Sequence, residues 1–320
     1  MKSKHFLRAL NPVDRIEEDP SFQSGEDGIL QIYAPKDRKA YFIEYENKVL
    51  VWIRSAMGHP AIYPLPESNF EAPIKAVLMD LDGTSVKSES FWIWIIEQTV
   101  CKLLGDPKFT LENADEPFVS GHSVSEHLQY CIQKYCPDKS VDDARKHYFD
   151  ITHYEMNEIL EGRGKRDAFH PVDGLKEFLL ELKAKQVRIG LVTSGLYEKA
   201  WPEIISAFEQ IGLGDPLEFY DAIITAGQAI RKGQTGTLGE LSPKPHPWLY
   251  AETARVGLGI GIDERSRVLG IEDSSAGVLS IRLAGFECIG MSGGNIQQSG
   301  MESLLLQSAD QLTDILPTLF

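Results

Sequence analysis

The sequence IKAVLMDLDGT occupies residues 74–84 and joins a short apolar run to two aspartates. The run at 76–79 has no polar interruption, which predicts a strand buried on both faces of a sheet. It ends at Asp80, and Asp82 follows two positions later, so both carboxylates can face the same side as the chain leaves the strand. Ligands of open parallel sheets bind outside the carboxyl ends of the strands. We therefore expect a functional site immediately after this strand.

Apolar runs alternate with helical patterns in the C-terminal half of the chain. Further runs that predict strands lie at 187–192, 222–225, 268–271 and 288–291. Between them, apolar residues recur at helical spacing, as in Leu175, Phe178, Leu179 and Leu182. Strands that alternate with helices predict an α/β fold, with a parallel sheet and helices on both of its faces.

Two segments fall outside this alternation. Residues 88–169 have mostly helical periodicity and are far longer than the single helix that a crossover needs, so we expect an inserted helical domain. Residues 1–72 are predicted to be a small β-rich extension, because 40–53 reads as a β-hairpin before a proline-bearing linker at 61–73. The predicted domains are 1–72 for the extension, 73–88 with 170–320 for the α/β core, and 89–169 for the helical insert.

Composition limits the partners and the compartment. The chain has 32 Lys and Arg against 47 Asp and Glu, a net charge of −15, so its surface repels nucleic acid. No apolar stretch is long enough to span a bilayer, and the N-terminus lacks a signal-peptide core. The four cysteines lack CxxC spacing and are predicted to be free thiols. These features favour a cytoplasmic protein without a membrane or nucleic acid partner.

Polar residues follow further predicted strands. The tripeptide TSG at 193–195 supplies a hydroxyl and backbone amides that can bind phosphate oxygens, Lys244 stands just before a proline, and the acidic pair at 272–273 ends another run. Carboxylates in one site can bind a divalent cation, or act as nucleophile and general acid or base. An EF-hand is excluded, because Gly83 stands fourth rather than sixth and Phe91 takes the place of the final glutamate.

Taken in order, DLDGT, TSG, the lysine before proline and EDSSAG resemble the four motifs of the haloacid dehalogenase-like hydrolase superfamily. The resemblance extends from about residue 74 to the C-terminus. The helical insert is similar to the cap of the family's phosphatases and β-phosphoglucomutase-like members. This resemblance implies a Rossmann-like three-layer core, a helical cap at 89–169, and phosphoryl transfer to and from an aspartate.

The resemblance also implies roles for individual residues. Asp80 would attack phosphorus and become an aspartyl-phosphate, while Asp82 would protonate the leaving oxygen and later activate the hydrolytic water. Thr193 and Lys244 would hold the transferring phosphoryl group. The residues implied in substrate binding are Leu81, Ser194, Gly195 and Lys87.

A divalent cation is part of the same expectation. The resemblance implies Mg²⁺ bound by Asp80, by the backbone carbonyl of Asp82 and by Asp273, with Glu272 acting through water. General electrostatics agrees, because so dense a set of carboxylates is tolerated only with a cation and a lysine among them.

Several alternatives stay open at this stage. A phosphatase for a small phosphorylated metabolite leads, but a phosphomutase of the β-phosphoglucomutase type would use the same residues, and a non-catalytic phosphate-binding or regulatory module is a third possibility. Lys87 either meets an anionic part of the substrate or is a solvated hinge residue. The stretch 228–242 predicts a surface loop. Substrate identity, oligomeric state and the role of the extension do not follow from the sequence.

Overall fold

The computed structural model describes residues 4–54, 60–115, 119, 124–165, 167–225, 228–231, 234–236 and 242–320. Its strands are β1 (Asn11–Val13), β2 (Arg15–Ile16), β3 (Asp19–Gln23), β4 (Gln31–Ala34), β5 (Ala40–Glu44), β6 (Val49–Ile53), β7 (Ala61–Pro64), β8 (Ala76–Asp80), β9 (Val86–Lys87), β10 (His170–Pro171), β11 (Arg188–Val192), β12 (Ala222–Thr225), β13 (Gln228–Arg231), β14 (Gln234–Gly236), β15 (Val268–Glu272), β16 (Glu287–Met291) and β17 (Gln307–Ala309).

The helices are α1 (Glu89–Leu104), α2 (Val124–Tyr135), α3 (Val141–Leu160), α4 (Leu175–Ala184), α5 (Tyr197–Ile211), α6 (Pro216–Phe219), α7 (Trp248–Glu252), α8 (Ser275–Leu283), α9 (Ile296–Ser299) and α10 (Leu316–Leu319). Short 3₁₀ turns lie at His5–Ala9, Asn113–Asp115, Ile262–Arg267, Glu302–Leu304 and Leu312–Ile315, and a π-helical turn, Thr253–Gly257, continues α7.

The core is an eight-stranded sheet in the order β14-β13-β12-β11-β8-β15-β16-β17. The strands from β12 to β17 in this order are parallel, and β13 and β14 extend the sheet as antiparallel strands. β8 lies between β11 and β15, and all its residues are buried, as its uninterrupted apolar run predicts. The predicted α/β, Rossmann-like core is confirmed. Because these strands are parallel, their carboxyl ends lie at the same edge of the sheet.

The N-terminal segment forms an antiparallel sheet in the order β1-β4-β5-β6-β7, and its β5–β6 hairpin confirms the prediction for 40–53. One face shares a hydrophobic cluster with the core sheet: Phe42 and Val51 pack in the same cluster as Leu78. On the other face, Trp52 of β6 packs in a second hydrophobic cluster with Ile16 of the β2–β3 hairpin. The extension is therefore buried on both faces, and its inner face is part of the core.

The chain forms two compact units. The first comprises 1–80, 173–194 and 217–320, and so contains both the N-terminal sheet and the core sheet. The second comprises 81–172 and 195–216. The domain limits drawn from the sequence stay a prediction.

The second unit is mainly helical. Helices α1 and α2 both pack against α3, and α3 also packs against α5. Within this unit β9 and β10 pair antiparallel, with Lys87 opposite His170. The rings of Phe91 and Phe169 lie 4.7 Å apart between centroids, and both side chains are buried. This aromatic contact joins the start and the end of the insert.

Two local predictions were wrong. The linker predicted at 61–73 begins with strand β7, which pairs with β6 at the edge of the N-terminal sheet, where Pro64 needs no partner for its nitrogen. In the stretch 228–242, predicted to be a surface loop, β13 and β14 form a hairpin that extends the core sheet. Residues 232, 233 and 237–241 of that stretch lie outside the described residues.

Among the helices that the structure describes, none has the length and apolarity required to span a bilayer.

Candidate active site

Asp80 is the last residue of β8 and lies at the carboxyl edge of the core sheet. It pairs in register with Val192 of β11, which places the next residue, Thr193, at the neighbouring strand end. Both Asp80 and Thr193 are buried, and the Thr193 amide donates to the Ile224 carbonyl at 2.9 Å. The sheet order thus brings the first two predicted segments together.

Lys244 places its ammonium between two carboxylates. Its Nζ donates to Asp80 Oδ1 and, at 2.5 Å, to Glu272 Oε1, and 8% of its side chain is exposed. Burial disfavours the charged form, but the Asp80 and Glu272 carboxylates outweigh it and raise the pKa of Lys244. Its backbone amide donates to Ser194 Oγ at 3.0 Å. Lys244 therefore stays charged and is oriented from both its backbone and its side chain.

Glu272 ends β15 and has no exposed surface. Its Oε1 accepts from Lys244 and, at 3.1 Å, from the Tyr250 hydroxyl. Its Oε2 accepts from the backbone amides of Asp273 and Ser274, at 3.0 and 2.8 Å, and from the Ser274 hydroxyl at 2.9 Å. The buried charge is thus compensated by hydrogen bonds to both oxygens. These bonds fix the turn at residues 272–274, called the acidic turn below, and hold Lys244 in place.

Two glycines make room for this acidic turn. A Cβ on Gly277, in the first turns of α8, would overlap the Glu272 carboxylate. A Cβ on Gly294 would overlap the backbone carbonyl of Asp273. Both positions therefore require glycine, because the acidic pair and its neighbours occupy the space of a side chain.

The residues present fit a divalent cation. Carboxylate oxygens of Asp80, Glu272 and Asp273 all lie within 4.8 Å of one another. An all-oxygen, carboxylate-rich donor set is the one that Mg²⁺ prefers. Both Glu272 oxygens already accept protein hydrogen bonds, so direct binding of the cation by Glu272 would compete with those bonds.

The remaining predicted residues belong to the second unit. Asp82 Oδ1 accepts from Ser88 Oγ at 2.6 Å, and Asp82 forms an isolated bridge with Val86. Leu81 is buried, Gly195 is partly exposed and precedes α5, and Lys87 is exposed on β9. The structure thus gathers Asp80, Thr193, Ser194, Lys244, Glu272 and Asp273 in the first unit, and keeps Leu81, Asp82, Lys87 and Gly195 in the second.

Around Asp82 the second unit has a polar cluster that the sequence did not indicate. The Lys199 ammonium lies 3.6 Å from the centroid of the Trp92 ring. Burial opposes its charge, but Tyr148, Asp82 and Glu203 act in the other direction and raise the pKa of Lys199. Helical spacing reveals neither this lysine nor Tyr250 of the first unit as a site residue, because both depend on contacts between distant segments.

A model of the family described as haloacid dehalogenase-like hydrolase matches residues 74–285. This range is well over half of the chain and contains all the site residues of both units. The chain belongs to the haloacid dehalogenase-like hydrolases. Membership in this family confirms the resemblance drawn from DLDGT, TSG, the lysine before proline and EDSSAG.

A curated relative of this hydrolase is validoxylamine A 7'-phosphate phosphatase from Streptomyces hygroscopicus subsp. limoneus. The two sequences are 33% identical over 121 residues, which is 38% of this chain and 46% of the relative. The chain therefore spans just under half the length of the curated relative that it matches.

Solved structures show the same fold at low identity. A predicted phosphoglycolate phosphatase from Haemophilus somnus 129pt aligns with a TM-score of 0.56 at 17% identity, covering 78% of this chain and 99% of that one. A putative β-phosphoglucomutase from Thermotoga maritima aligns with a TM-score of 0.54 at 17% identity, covering 77% and 100%. Both coverages confirm that the haloacid dehalogenase-like fold accounts for most of this hydrolase.

Proposed function

We propose that this hydrolase is a Mg²⁺-dependent phosphatase that removes phosphate from a small phosphorylated metabolite through an aspartyl-phosphate on Asp80. The observation that carries the proposal is the buried Lys244 ammonium between Asp80 and Glu272, beside Asp273. A carboxylate alone would repel a phosphate dianion, whereas this cation offsets the repulsion and orients the nucleophile.

The proposed reaction has two displacements at phosphorus. An Asp80 carboxylate oxygen attacks phosphorus, the bond from phosphorus to the ester oxygen breaks, and Asp82 donates a proton to the departing oxygen. Asp82 then takes a proton from water, whose oxygen attacks phosphorus and releases Asp80. Thr193 and Lys244 bind the oxygens of the phosphoryl group. Ser194 and the Gly195 amide, which follow Thr193 in the chain, are proposed to take part in substrate binding. Leu81 and Lys87 are proposed to contact the rest of the substrate.

Mg²⁺, held by Asp80, the Asp82 carbonyl and Asp273, would neutralise charge on the phosphoryl oxygens. Glu272 acts in this proposal mainly on Lys244, because both of its oxygens already accept hydrogen bonds. The acidic turn therefore has two tasks: Asp273 binds the cation and Glu272 orients the lysine.

The substrate class is argued from the relative and from charge. The matched relative is a phosphatase for a phosphorylated small molecule by its name, and its match supports phosphomonoester hydrolysis here. A net charge of −15 opposes nucleic acid substrates. The described cysteines are free and buried, which is in keeping with the cytoplasm as the proposed compartment.

The proposal is tested by phosphate release from a panel of sugar phosphates, nucleotides and an aryl phosphate. We expect release with Mg²⁺, none with EDTA, and a loss of at least about a thousand-fold in Asp80→Asn, because the nucleophile is removed. Asp263→Asn is the matched control. Asp263 is exposed and precedes β15, whereas the site follows that strand, so this variant should retain full activity.

The other outcomes separate the alternatives. Turnover only with a sugar bisphosphate present would replace the phosphatase with a phosphomutase. Inorganic phosphate binding without turnover of any ester would leave a non-catalytic binding module. Activity that survives both EDTA and Asp80→Asn would refute the proposal.

A further inference from the structure

The N-terminal sheet reaches the loops that carry the catalytic groups. Its strand β7 presents Tyr63, whose hydroxyl forms a 2.8 Å hydrogen bond with Nδ1 of His246, two residues after Lys244. The Tyr63 ring also lies edge-on to His246 and to Trp248, with centroids 5.9 and 6.1 Å away. Tyr63 is thus in contact with the segment that follows Lys244.

Within the core, two further contacts hold the segment from Lys244 to His246, called the Lys244 loop below. Ser280 of α8 donates from its hydroxyl to the His246 carbonyl at 2.6 Å, and the Lys244 amide donates to Ser194. Tyr63 supplies the anchor that holds the His246 side chain. The backbone at Lys244 and His246 is therefore held by serines of the core, and the His246 side chain by the N-terminal sheet.

A second contact from the same sheet reaches the acidic turn. Asp37, in the connection between β4 and β5, accepts from the Ser275 hydroxyl at 3.3 Å. Ser275 stands two residues after Asp273, and its amide donates to Asn295 Oδ1 at 2.7 Å. Beside Asp37, the Lys36 amide donates to the Ser299 carbonyl at 2.7 Å. The contacts of Ser275 hold the first turn of α8, directly after the acidic pair, and the Lys36 contact joins the same connection to α9.

Electrostatics gives these contacts a purpose. Carboxylate oxygens of Asp80, Glu272 and Asp273 converge within 4.8 Å, and Lys244 offsets their mutual repulsion only while its ammonium stays between Asp80 and Glu272. Catalytic groups work only when they are held near their productive geometry by supporting contacts. The shared hydrophobic cluster makes the N-terminal sheet a fixed platform for such support.

We infer that the N-terminal sheet is a positioning element of the active site, in which Tyr63 holds the Lys244 loop through His246 and Asp37 holds the Asp273 turn through Ser275. The inference rests on the proposed phosphatase function for its catalytic consequence. In this inference neither residue binds the substrate. Each acts through a neighbour of a site residue.

The test uses Tyr63→Phe and Asp37→Ala in the full chain. Each is expected to lower kcat by about three- to ten-fold, the effect of losing one hydrogen bond, while KM changes less than about two-fold. In a His246→Ala background, Tyr63→Phe should have no further effect on kcat, since the imidazole that the Tyr63 hydroxyl bonds is already absent.

The matched controls lie in the same N-terminal segment. Tyr41→Phe removes a hydroxyl that bonds Glu18 on the other face of the sheet. Asp19→Ala removes a half-buried aspartate that, like Asp37, accepts from the amide two residues on. Both controls should leave kcat and KM unchanged, which separates positioning from general stability.

Amide hydrogen exchange gives a readout that needs no turnover. Exchange should accelerate at residues 244–251 in Tyr63→Phe and at 274–280 in Asp37→Ala, and in neither control. If the wild type releases no phosphate, the proposed function fails, while exchange still decides whether the sheet holds these loops. Unchanged exchange, or faster exchange with unchanged kcat in an active enzyme, would overturn the inference.

Discussion

Glu272 shows how much of this site depends on single atoms. Its carboxylate accepts from Lys244, Tyr250 and the acidic turn itself, and the absence of a Cβ at Gly277 leaves the space that it occupies. Gly277 therefore affects the orientation of Lys244 indirectly, because it leaves the space for the Glu272 carboxylate that bonds the lysine. Gly277 thus supports the turn in two ways, through the space that it leaves for Glu272 and through its amide, which donates to Ser274 Oγ at 3.1 Å.

Gly277→Ala tests this dependence. The added methyl group must displace the Glu272 carboxylate, so we expect a loss of stability of about 1–3 kcal/mol from overpacking. Phosphate release should fall about a hundred-fold, because Lys244 loses its position. Urea unfolding and steady-state kinetics measure the two effects. The control Ala276→Ser adds one atom at the adjacent, half-buried position of α8. Equal behaviour of the two variants would show that Glu272 can move without consequence.

At the scale of elements, the helical unit has a buried polar anchor. Asp115 ends the 3₁₀ turn after α1 and is fully buried, yet it accepts from the Tyr130 hydroxyl and from Lys134, each at 2.6 Å, and from Tyr135. Its burial acts to raise the pKa of this carboxyl, but the bonds to Lys134 and the tyrosines prevail and lower it. The carboxylate thereby joins the turn to the end of α2.

Removing this carboxylate should destabilise the protein. We expect Asp115→Ala to lower the free energy of unfolding by about 1–3 kcal/mol at pH 7, because the Tyr130 and Tyr135 hydroxyls lose this buried acceptor, whereas the exposed Lys134 keeps its bond to Glu112. Because the pKa of Asp115 is lower in the folded protein, its carboxylate stabilises the fold at pH values above the unfolded-state pKa of about 4, and this stabilisation is lost as the pH falls through the folded-state pKa. The difference in stability between Asp115→Ala and wild type should therefore narrow below about pH 4. Chemical unfolding at several pH values measures it. A similar loss in Asp150→Ala, an exposed aspartate of α3, would contradict this explanation.

For the whole molecule, the main consequence is that the N-terminal sheet and the core sheet share one hydrophobic cluster. Phe42 is fully buried there and stacks edge-on with Phe6 at 5.6 Å between centroids. The shared cluster couples the folding of the two sheets, because unfolding of either sheet would expose the apolar face of the other to water. The extension is thus an integral layer of the first unit.

This coupling predicts a single unfolding transition for both sheets. Phe42→Ala should lower stability by about 3–5 kcal/mol through the cavity it leaves, and loss of phosphate release should coincide with loss of far-UV circular dichroism in guanidinium. Phe22→Ala, at a half-buried site on the other face, should cost less. An early transition of the sheet with activity retained would show that the two layers fold independently.

The fold class, and the convergence of several candidate site residues at one edge of the sheet, could be predicted from the sequence because their signals are local. An apolar run that ends in Asp80, and polar residues after later runs, are read from neighbouring positions, and parallel pairing brings such strand ends together. The order of the segments is also read directly from the sequence, in which TSG, Lys244 and the acidic pair follow DLDGT. These predictions needed only strand periodicity and the chemistry of the side chains.

Other features depend on residues far apart in the chain. Strand β7 was predicted to be part of a linker because Pro64 at its end and Pro66 just after it are typical of linkers, whereas the strand is formed by pairing with β6. Tyr250, Lys199 and the contact between Tyr63 and His246 carry no local signal. Their roles arise from packing, which brings together groups separated by tens to hundreds of residues. The sequence alone determines the strands and the polar residues at their ends, because both are visible in local periodicity. The tertiary structure selects which side chains support those polar residues, because that depends on packing between distant segments.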